Sequence, residues 1–280
     1  MCEFCHKHGE GKKWYLQAQN YSEDLLSDLK RRKFFTKFNA NDEDISKAFE
    51  KLNQAPKSGF ISNLITSFAV GKMKKMHYGQ VLPIEDVEKI MGFVNSIVRI
   101  ECICRKNFLG SEQRYCYCLS MGPNGGELFK LMKEISTDYE SGPFADGLEI
   151  LTKEEALANF RKYEEEGLCH TVWTFVTPFI AGICNCDRSD CGAMKATFAH
   201  NFPMLFRAEY VAESDPDLCT GCRECMRSCQ FGAIGYSAAN QKIMIDQKRC
   251  YGCGICRSNC TNDAIQLRER KDIPLVANLW

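Results

Sequence analysis

Eight cysteines near the carboxyl end of the 280-residue chain constrain its fold more than any other feature. They form two blocks with the same C-x2-C-x2-C-x3-C spacing: Cys219, Cys222, Cys225 and Cys229, then Cys250, Cys253, Cys256 and Cys260. Three cysteines at this spacing can curl around one cubane cluster and bind three of its irons, and the fourth thiolate then comes from the other block. The pattern therefore predicts two [4Fe-4S] clusters.

The two blocks also match outside their cysteines. Gly221 corresponds to Gly252, and the pair Ala233-Ile234 corresponds to Ala264-Ile265. On these residues, the segment 209–268 resembles a bacterial-type two-cluster ferredoxin. The resemblance implies one [4Fe-4S] cluster bound by Cys219, Cys222, Cys225 and Cys260, and a second bound by Cys250, Cys253, Cys256 and Cys229.

One feature departs from that family. Proline usually follows the fourth cysteine of each block, whereas this chain has Gln230 and Thr261 there. Proline stiffens the turn without being a ligand. We therefore expect the turn and the reduction potential to differ, and the ligation to be kept.

Structural zinc and disulfides are the other uses of such cysteines. Zinc ribbons pair two C-x2-C hooks, whereas three cysteines at this pitch with a distant fourth suit a cubane. Disulfides need an oxidising compartment, and the chain begins Met-Cys-Glu-Phe-Cys without a basic n-region or an apolar h-region. We therefore expect the 18 cysteines to serve mainly as metal-bound thiolates in a reducing cytoplasm.

Length and charge limit the organisation further. The chain is long enough for two domains, and we expect a mainly helical domain at 1–207, the ferredoxin domain at 208–268 and a tail at 269–280. The expected fold class is α+β: a mainly α-helical, cysteine-rich N-terminal and central domain, followed by a ferredoxin-like βαβ repeat. Lys plus Arg equals Asp plus Glu at 36 each, which does not point to nucleic acid or an anionic membrane. The longest apolar stretch, 171–184, is too short to span a bilayer.

Local signals predict several helices in the first domain. Ser22 is a suitable N-cap for a helix reaching Phe38, and a second helix is expected after Asp42. Pro83 suits the first turn of a third helix, whose apolar stripe extends to Ile97. A capping box at Thr152 predicts a further helix that stops at Gly167.

The centre of the chain contains eight more cysteines: Cys102, Cys104, Cys116, Cys118, Cys169, Cys184, Cys186 and Cys191. The C-x-C spacing occurs three times, which packing does not readily explain, and we expect the backbone to turn wherever such a pair serves one site. The pattern predicts at least one further iron-sulfur cluster and leaves zinc or buried free thiols as alternatives. The expected grouping is Cys102, Cys104, Cys116 and Cys118 in one site, and Cys184, Cys186 and Cys191 with a distant fourth ligand in another.

Three smaller features leave their roles open. Cys2, Cys5 and His6 match the C-x2-C-H attachment site of c-type haem, but haem attachment normally follows export, so a metal contribution and free thiols are favoured equally over haem. Arg105 and Arg188 are either charges that offset a cluster or surface residues. His170 is a proton donor, a metal ligand or a core histidine, and the last is favoured.

The leading functional hypothesis is an electron-transfer protein of anaerobic metabolism, with redox proteins, such as an oxidoreductase complex, as its partners. An oxidoreductase with a substrate or flavin site in the helical domain is the alternative, supported by His170, Asn185, Asp187 and Asp190 near the hooks. A scaffold that passes clusters on is a third possibility. Neither a nucleotide fingerprint nor a nucleophile motif is visible, which favours an electron carrier or an oxidoreductase subunit over a stand-alone enzyme.

Overall fold

The computed structural model describes residues 13–40, 47, 60–110, 113–136 and 148–279. The possible ligands Cys2, Cys5 and His6 and nearly all of the helix expected after Asp42 lie outside these ranges. Within them, helices and sheets are mixed, which confirms the α+β composition.

A seven-stranded sheet forms the centre of the first part of the described chain. Its strands are β1 (Gly79–Leu82), β2 (Ser96–Ile100), β3 (Cys116–Ser120), β4 (Glu149–Leu151), β5 (Cys169–Thr174), β6 (Ile180–Cys186) and β7 (Leu205–Phe206). Their spatial order is β4-β2-β3-β6-β5-β1-β7, and all neighbours are antiparallel except β1 and β7.

The sequence did not predict this central sheet, although helices contribute more of the described residues of the first part than strands do. Strand β5 is buried at every position, and β6 is buried at all but one. A strand covered on both faces reads as a continuous apolar run, and such a run lacks the alternation that distinguishes a strand from a buried helix.

Helices cover both faces of the sheet. They are α1 (Leu29–Ala40), α2 (Phe60–Met76), α3 (Ile84–Phe93), α4 (Ile103–Leu109), α5 (Gly126–Ser136), α6 (Lys153–Glu165) and α7 (Gly192–Ala199). Helices α3 and α6 pack with Tyr117, Val172 and Ile183 of the sheet. Helix α5 packs on the opposite face, with Cys118 and Cys186. The sheet thus separates two apolar layers, and the described sheet cysteines lie in only one of them.

The predicted helix boundaries are partly confirmed. Both hydrogen bonds of the Thr152 capping box form, and Gly167 follows α6 with a φ of +83°. The helix expected from Ser22 instead divides into a 3-10 turn (Glu23–Ser27) and α1. Helix α3 ends at Phe93, so Ile97 belongs to β2 and not to the expected helical stripe.

The C-terminal unit consists of two antiparallel strand pairs and two short helices. Strand β8 (Tyr210–Ser214) pairs with β11 (Ile265–Glu269), and β9 (Ile234–Ser237) pairs with β10 (Lys242–Ile245). Helices α8 (Glu224–Ser228) and α9 (Ile255–Ser258) carry the third cysteine of each block. The same contact recurs in each half, since Cys219 N donates to Asp215 O at 3.1 Å and Cys250 N donates to Asp246 O at 3.0 Å. The sequence duplication is thus a structural duplication.

This unit packs directly on the sheet. Tyr251 lies 4.3 Å from Phe231 and 5.4 Å from Phe198 between ring centroids, and its carbonyl accepts from Ala208 N at 2.9 Å. Arg257 forms an ion pair with Glu85 of α3 at 2.5 Å. One apolar layer runs from the sheet into the C-terminal unit and includes Cys169 and Cys253.

Candidate iron-sulfur sites

An apolar cavity in the C-terminal unit contains four cysteines. Its lining includes Cys229, Cys250, Cys253 and Cys256. These four are the set that the ferredoxin resemblance implies for the second cluster. The other lining residues are aliphatic, aromatic or glycine. A thiol-only donor set in an apolar cavity fits a [4Fe-4S] cluster.

The backbone around this cavity is shaped for sulfur ligands. Gly252 has a φ of +75°, and a Cβ there would lie 2.1 Å from Tyr210 O, so only glycine allows the chain to curl this tightly. Ala212 N donates to Cys250 Sγ at 3.4 Å, and Ala233 N donates to Cys229 Sγ at 3.3 Å. Such N–H···S bonds favour the reduced cluster and raise its potential.

The buried guanidinium of Arg270 lies next to the same cavity. Arg270 is 1% exposed and donates to the carbonyls of Ala208, Tyr210 and Cys250 at 2.6–3.0 Å. Burial lowers the pKa of Arg270 to about 10. Because this value remains above neutral pH, Arg270 stays charged and offsets negative charge at the thiolates.

The other ferredoxin cysteines gather on the outer side of the unit. Burial, followed by the nearby Cys222, Cys260 and Cys219, raises the pKa of Cys225 to about 11. Cys222 is exposed, whereas Cys219 and Cys225 are buried. The first sulfur site is therefore the one that a partner can approach from solvent.

Gln230 explains the departure from the ferredoxin pattern. Its side-chain Oε1 accepts from Arg188 N at 3.0 Å, and its Nε2 donates to Gly167 O at 2.8 Å. Both partners belong to the first part of the chain. A glutamine in place of the usual proline thus holds the C-terminal unit against the sheet.

The C-x-C pairs of the centre lie on two kinds of backbone. Cys116 and Cys118 are both on β3, and Cys184 and Cys186 are both on β6. Residues i and i+2 of a strand share one face, so the expectation that the backbone must turn was wrong for these pairs. The backbone does turn at the third pair, because Cys102 is the N-cap of α4 and Cys104 lies in its first turn.

Six central cysteines lie near one another and are here called the six-cysteine group: Cys102, Cys104, Cys116, Cys184, Cys186 and Cys191. Cys102 Sγ lies 3.2 Å from Cys116 Sγ, and Cys116 is the cross-strand partner of Cys184. Cys116 also lies close to Cys184, and Cys191 lies close to both Cys104 and Cys186.

This grouping differs from the expected one. Cys118 pairs with Gly182 across the strands, and burial alone raises its pKa to about 12, with no contribution from another cysteine. Cys184, expected in a separate site, lies beside Cys116 instead. The reason is strand order: β3 and β6 are sheet neighbours although they are far apart in sequence.

One buried positive group, Arg105, lies beside the six-cysteine group. Arg105 is 5% exposed, and its Nη1 lies 3.7 Å from Cys102 Sγ, while its Nη2 pairs with Asp187 at 2.6 Å. Burial opposes this charge, but Cys102 and Asp187 more than compensate and raise the pKa of Arg105. Arg188, in contrast, lies over the Phe198 ring at 5.4 Å and not among the cysteines.

Cys169 and His170 point to opposite faces of β5. Cys169 is the cross-strand partner of Cys186, and it lies close to Cys253 of the C-terminal unit in the same apolar layer. His170 Nδ1 lies 2.7 Å from Asn185 Oδ1, and its ring packs on Phe160. Burial lowers the pKa of His170 to about 4, so it is neutral at physiological pH. The position of Cys169 between the sulfur sites has no signal in the sequence. It follows only from the packing of the first part of the chain against the C-terminal unit.

In the described part of the chain, no three histidine, cysteine, aspartate or glutamate side chains surround a single metal ion. A cubane does not require such convergence, because each of its irons takes its own thiolate. None of the helices in the described ranges has the length and apolar character needed to cross a membrane.

Comparisons with known proteins identify the C-terminal unit. Residues 218–265 match the family model described as a 4Fe-4S dicluster domain, which confirms the ferredoxin resemblance. An archaeal-type glutamate synthase [NADPH] of Thermotoga maritima is 33% identical over 61 residues, covering 22% of this chain and 12% of the relative. A subunit of an ion-translocating oxidoreductase complex of Methanosarcina acetivorans is 40% identical over 50 residues, 18% of each chain.

A third relative is an uncharacterized ferredoxin-like protein, YdhY, of Escherichia coli. It is 41% identical over 46 residues, which cover 16% of this chain and 22% of the relative. All three alignments thus span less than a quarter of the relative's length. The likeness supports an electron-transfer role for the C-terminal unit.

Proposed function

We propose that this chain relays single low-potential electrons between redox partner proteins in an anaerobic cytoplasm. Its C-terminal unit would hold two [4Fe-4S] clusters, the first bound by Cys219, Cys222, Cys225 and Cys260, and the second by Cys250, Cys253, Cys256 and Cys229. At least one further cluster would be bound by cysteines of the sheet. A [4Fe-4S] cluster with four thiolates exchanges one electron, and the protein supplies the burial and hydrogen bonding that set its potential.

The observation that carries this proposal is the contact between Cys169 and Cys253. Cys169 joins the second cluster cavity to Cys186, its cross-strand partner in the six-cysteine group. On the other side of the cavity, Cys225 of the first site lies close enough to Cys256 to contribute to the raised pKa of Cys256. The sulfur sites therefore follow one another from the sheet to the exposed Cys222. Such a row suits a relay with one end buried and one end open to a partner.

The names of the relatives support the same function. One is a glutamate synthase and one is a subunit of an ion-translocating oxidoreductase complex. We propose that the present chain likewise works with an oxidoreductase complex.

A substrate-binding oxidoreductase has less support. Of its four candidate polar residues, His170 is bonded to Asn185 on the face turned away from the cysteines. Asp187 and Asp190 both pair with Arg105. These groups serve one another and Arg105 and are not directed together into a cavity.

The test is a stepwise reductive titration of anaerobically purified protein, followed by iron and sulfide analysis and electron paramagnetic resonance. The C-terminal unit should account for about eight irons and eight sulfides, and each cluster should take up and return one electron. The variant Cys250→Ala should lose about four irons and keep the remaining signals. Colourless protein, or clusters that cannot be reduced reversibly, would contradict the proposal.

A further inference from the structure

We infer that the six-cysteine group is one site that holds a single third [4Fe-4S] cluster, with Cys118 and Cys169 outside its ligand set. This inference rests on the proposed relay and specifies the part of it that the cysteine spacing left open. The ligands come from four elements: the start of α4, the start of β3, the end of β6 and the N-terminus of α7.

The sheet brings these elements to one place. Cys116 is the first residue of β3 and Cys186 is the last of β6, and the two strands run antiparallel, so both cysteines lie at the same end of the sheet. Cys184 is on the same face of β6 as Cys186. The chain then turns, and Cys191 becomes the N-cap of α7.

The sulfur atoms of the group form two neighbouring series of three. Cys102 Sγ lies 3.2 Å from Cys116 Sγ, and Cys116 lies close to Cys184, while Cys191 lies close to both Cys104 and Cys186. Cys184 also lies within electrostatic reach of Cys102, Cys104 and Cys186, which joins the two series. Two separate [4Fe-4S] clusters would need eight thiolates, whereas this group supplies six.

Hydrogen-bond donors and one positive charge lie next to the thiols of the six-cysteine group. Tyr115 N donates to Cys102 Sγ at 3.0 Å, and the amides of Gly192 and Met194 at the start of α7 donate to Cys104 and Cys191. The guanidinium of Arg105 completes the surroundings at 3.7 Å from Cys102 Sγ. Amides and a fixed cation stabilise thiolates, which are the form that binds iron. Free core cysteines need none of these groups.

Cys118 and Cys169 are excluded for different reasons. Cys118 lies two residues further along β3, opposite Gly182, and has no other cysteine among its electrostatic neighbours. Cys169 is directed to Cys253 of the second cluster cavity. A cubane takes four of the six remaining thiols, and the other two stay beside it as hydrogen-bond donors to sulfur.

The experiment is metal and sulfide analysis of the full-length protein, purified without oxygen, together with spin quantitation of the reduced form. Three cubanes predict about 12 irons per chain, whereas two central sites would give about 16. The triple variant Cys116→Ala/Cys184→Ala/Cys186→Ala leaves three thiols in the group and should fall to about eight irons. Cys118→Ala and Cys169→Ala are the matched controls, since each removes a neighbouring buried thiol, and both should keep about 12 irons.

Each alternative result is decisive. About 16 irons in the natural chain, loss of four irons in Cys118→Ala, or zinc in place of the third cluster would overturn the inference. About eight irons in the natural chain, all reversibly reducible, would also overturn it but would leave the relay through the C-terminal unit intact. The two ferredoxin signals report whether each variant has assembled, and the count in the natural chain decides between one site and two even if the triple variant fails to fold.

Discussion

Replacement of Gln230 by alanine tests whether this residue fastens the C-terminal unit to the sheet. The amide of Gln230 makes two hydrogen bonds across the contact, one from Arg188 N at 3.0 Å and one to Gly167 O at 2.8 Å. Alanine removes both without disturbing the four-cysteine cavity. We therefore expect a less stable protein with an unchanged iron content.

The magnitude follows from the two bonds. A typical intramolecular hydrogen bond contributes about 1 kcal/mol to the free energy of unfolding. Gln230 is half-buried, so water can partly replace its bonds, and the expected loss is about 1–2 kcal/mol in total. For a chain of this size, that loss lowers the thermal midpoint by about 2–8 °C.

The assay is anaerobic thermal unfolding of the cluster-loaded protein, monitored by circular dichroism and by the visible absorbance of the clusters. Thr261→Ala is the matched control, because Thr261 occupies the equivalent position in the other block and is exposed. Its midpoint should change by less than about 2 °C, as expected for an exposed surface residue.

A second variant separates the domain contact from the stiffness of the turn. Gln230→Pro restores the residue that ferredoxins usually have, and it loses the same two hydrogen bonds. If stiffness were the main effect, proline would stabilise the chain by about 0.4–1 kcal/mol. A Gln230→Pro midpoint at or above that of the natural chain, or an unchanged midpoint for Gln230→Ala, would refute the reasoning.

Three further predictions concern buried ionisable groups. The pKa of His170 is about 4 in the folded chain and 6.5 in the unfolded one, so the unfolded chain binds more protons as the pH falls through this window. Stability that is present above pH 6.5 should decrease by about 1 kcal/mol between pH 7 and 5.5, and urea unfolding of His170→Gln should lack this share of the pH dependence. Arg105→Ala should lower the reduction potential of the proposed central cluster by roughly 50–100 mV in a redox titration, because the positive charge that is lost stabilises the reduced state. Arg105→Lys should lower the potential less, because lysine keeps a positive charge. Arg270→Met should destabilise the C-terminal unit by about 3–5 kcal/mol in anaerobic unfolding, since three carbonyls lose their donor, and a midpoint equal to that of the natural chain would contradict this role.

Features that depend on neighbouring residues could be predicted from the amino-acid sequence alone. The spacing of Cys219 to Cys229 and of Cys250 to Cys260 reflects how closely a short loop must follow one cluster, so the two blocks could be recognised without a fold. The Thr152 capping box is equally local, because its donor and acceptor are three residues apart.

Contacts between residues that are far apart in the chain could be recognised only in the tertiary structure. The sheet could not be predicted, because its inner strands are continuously buried and lack an alternating pattern. Cys116 meets Cys184, and Cys169 meets Cys186, only because β3, β6 and β5 are neighbours in the sheet. The contact of Cys169 with Cys253 and the bonds of Gln230 likewise exist only once the two parts have packed. Spacing along the chain determines which cysteines one loop can bring to a cluster, whereas strand pairing and domain packing determine which separate loops meet.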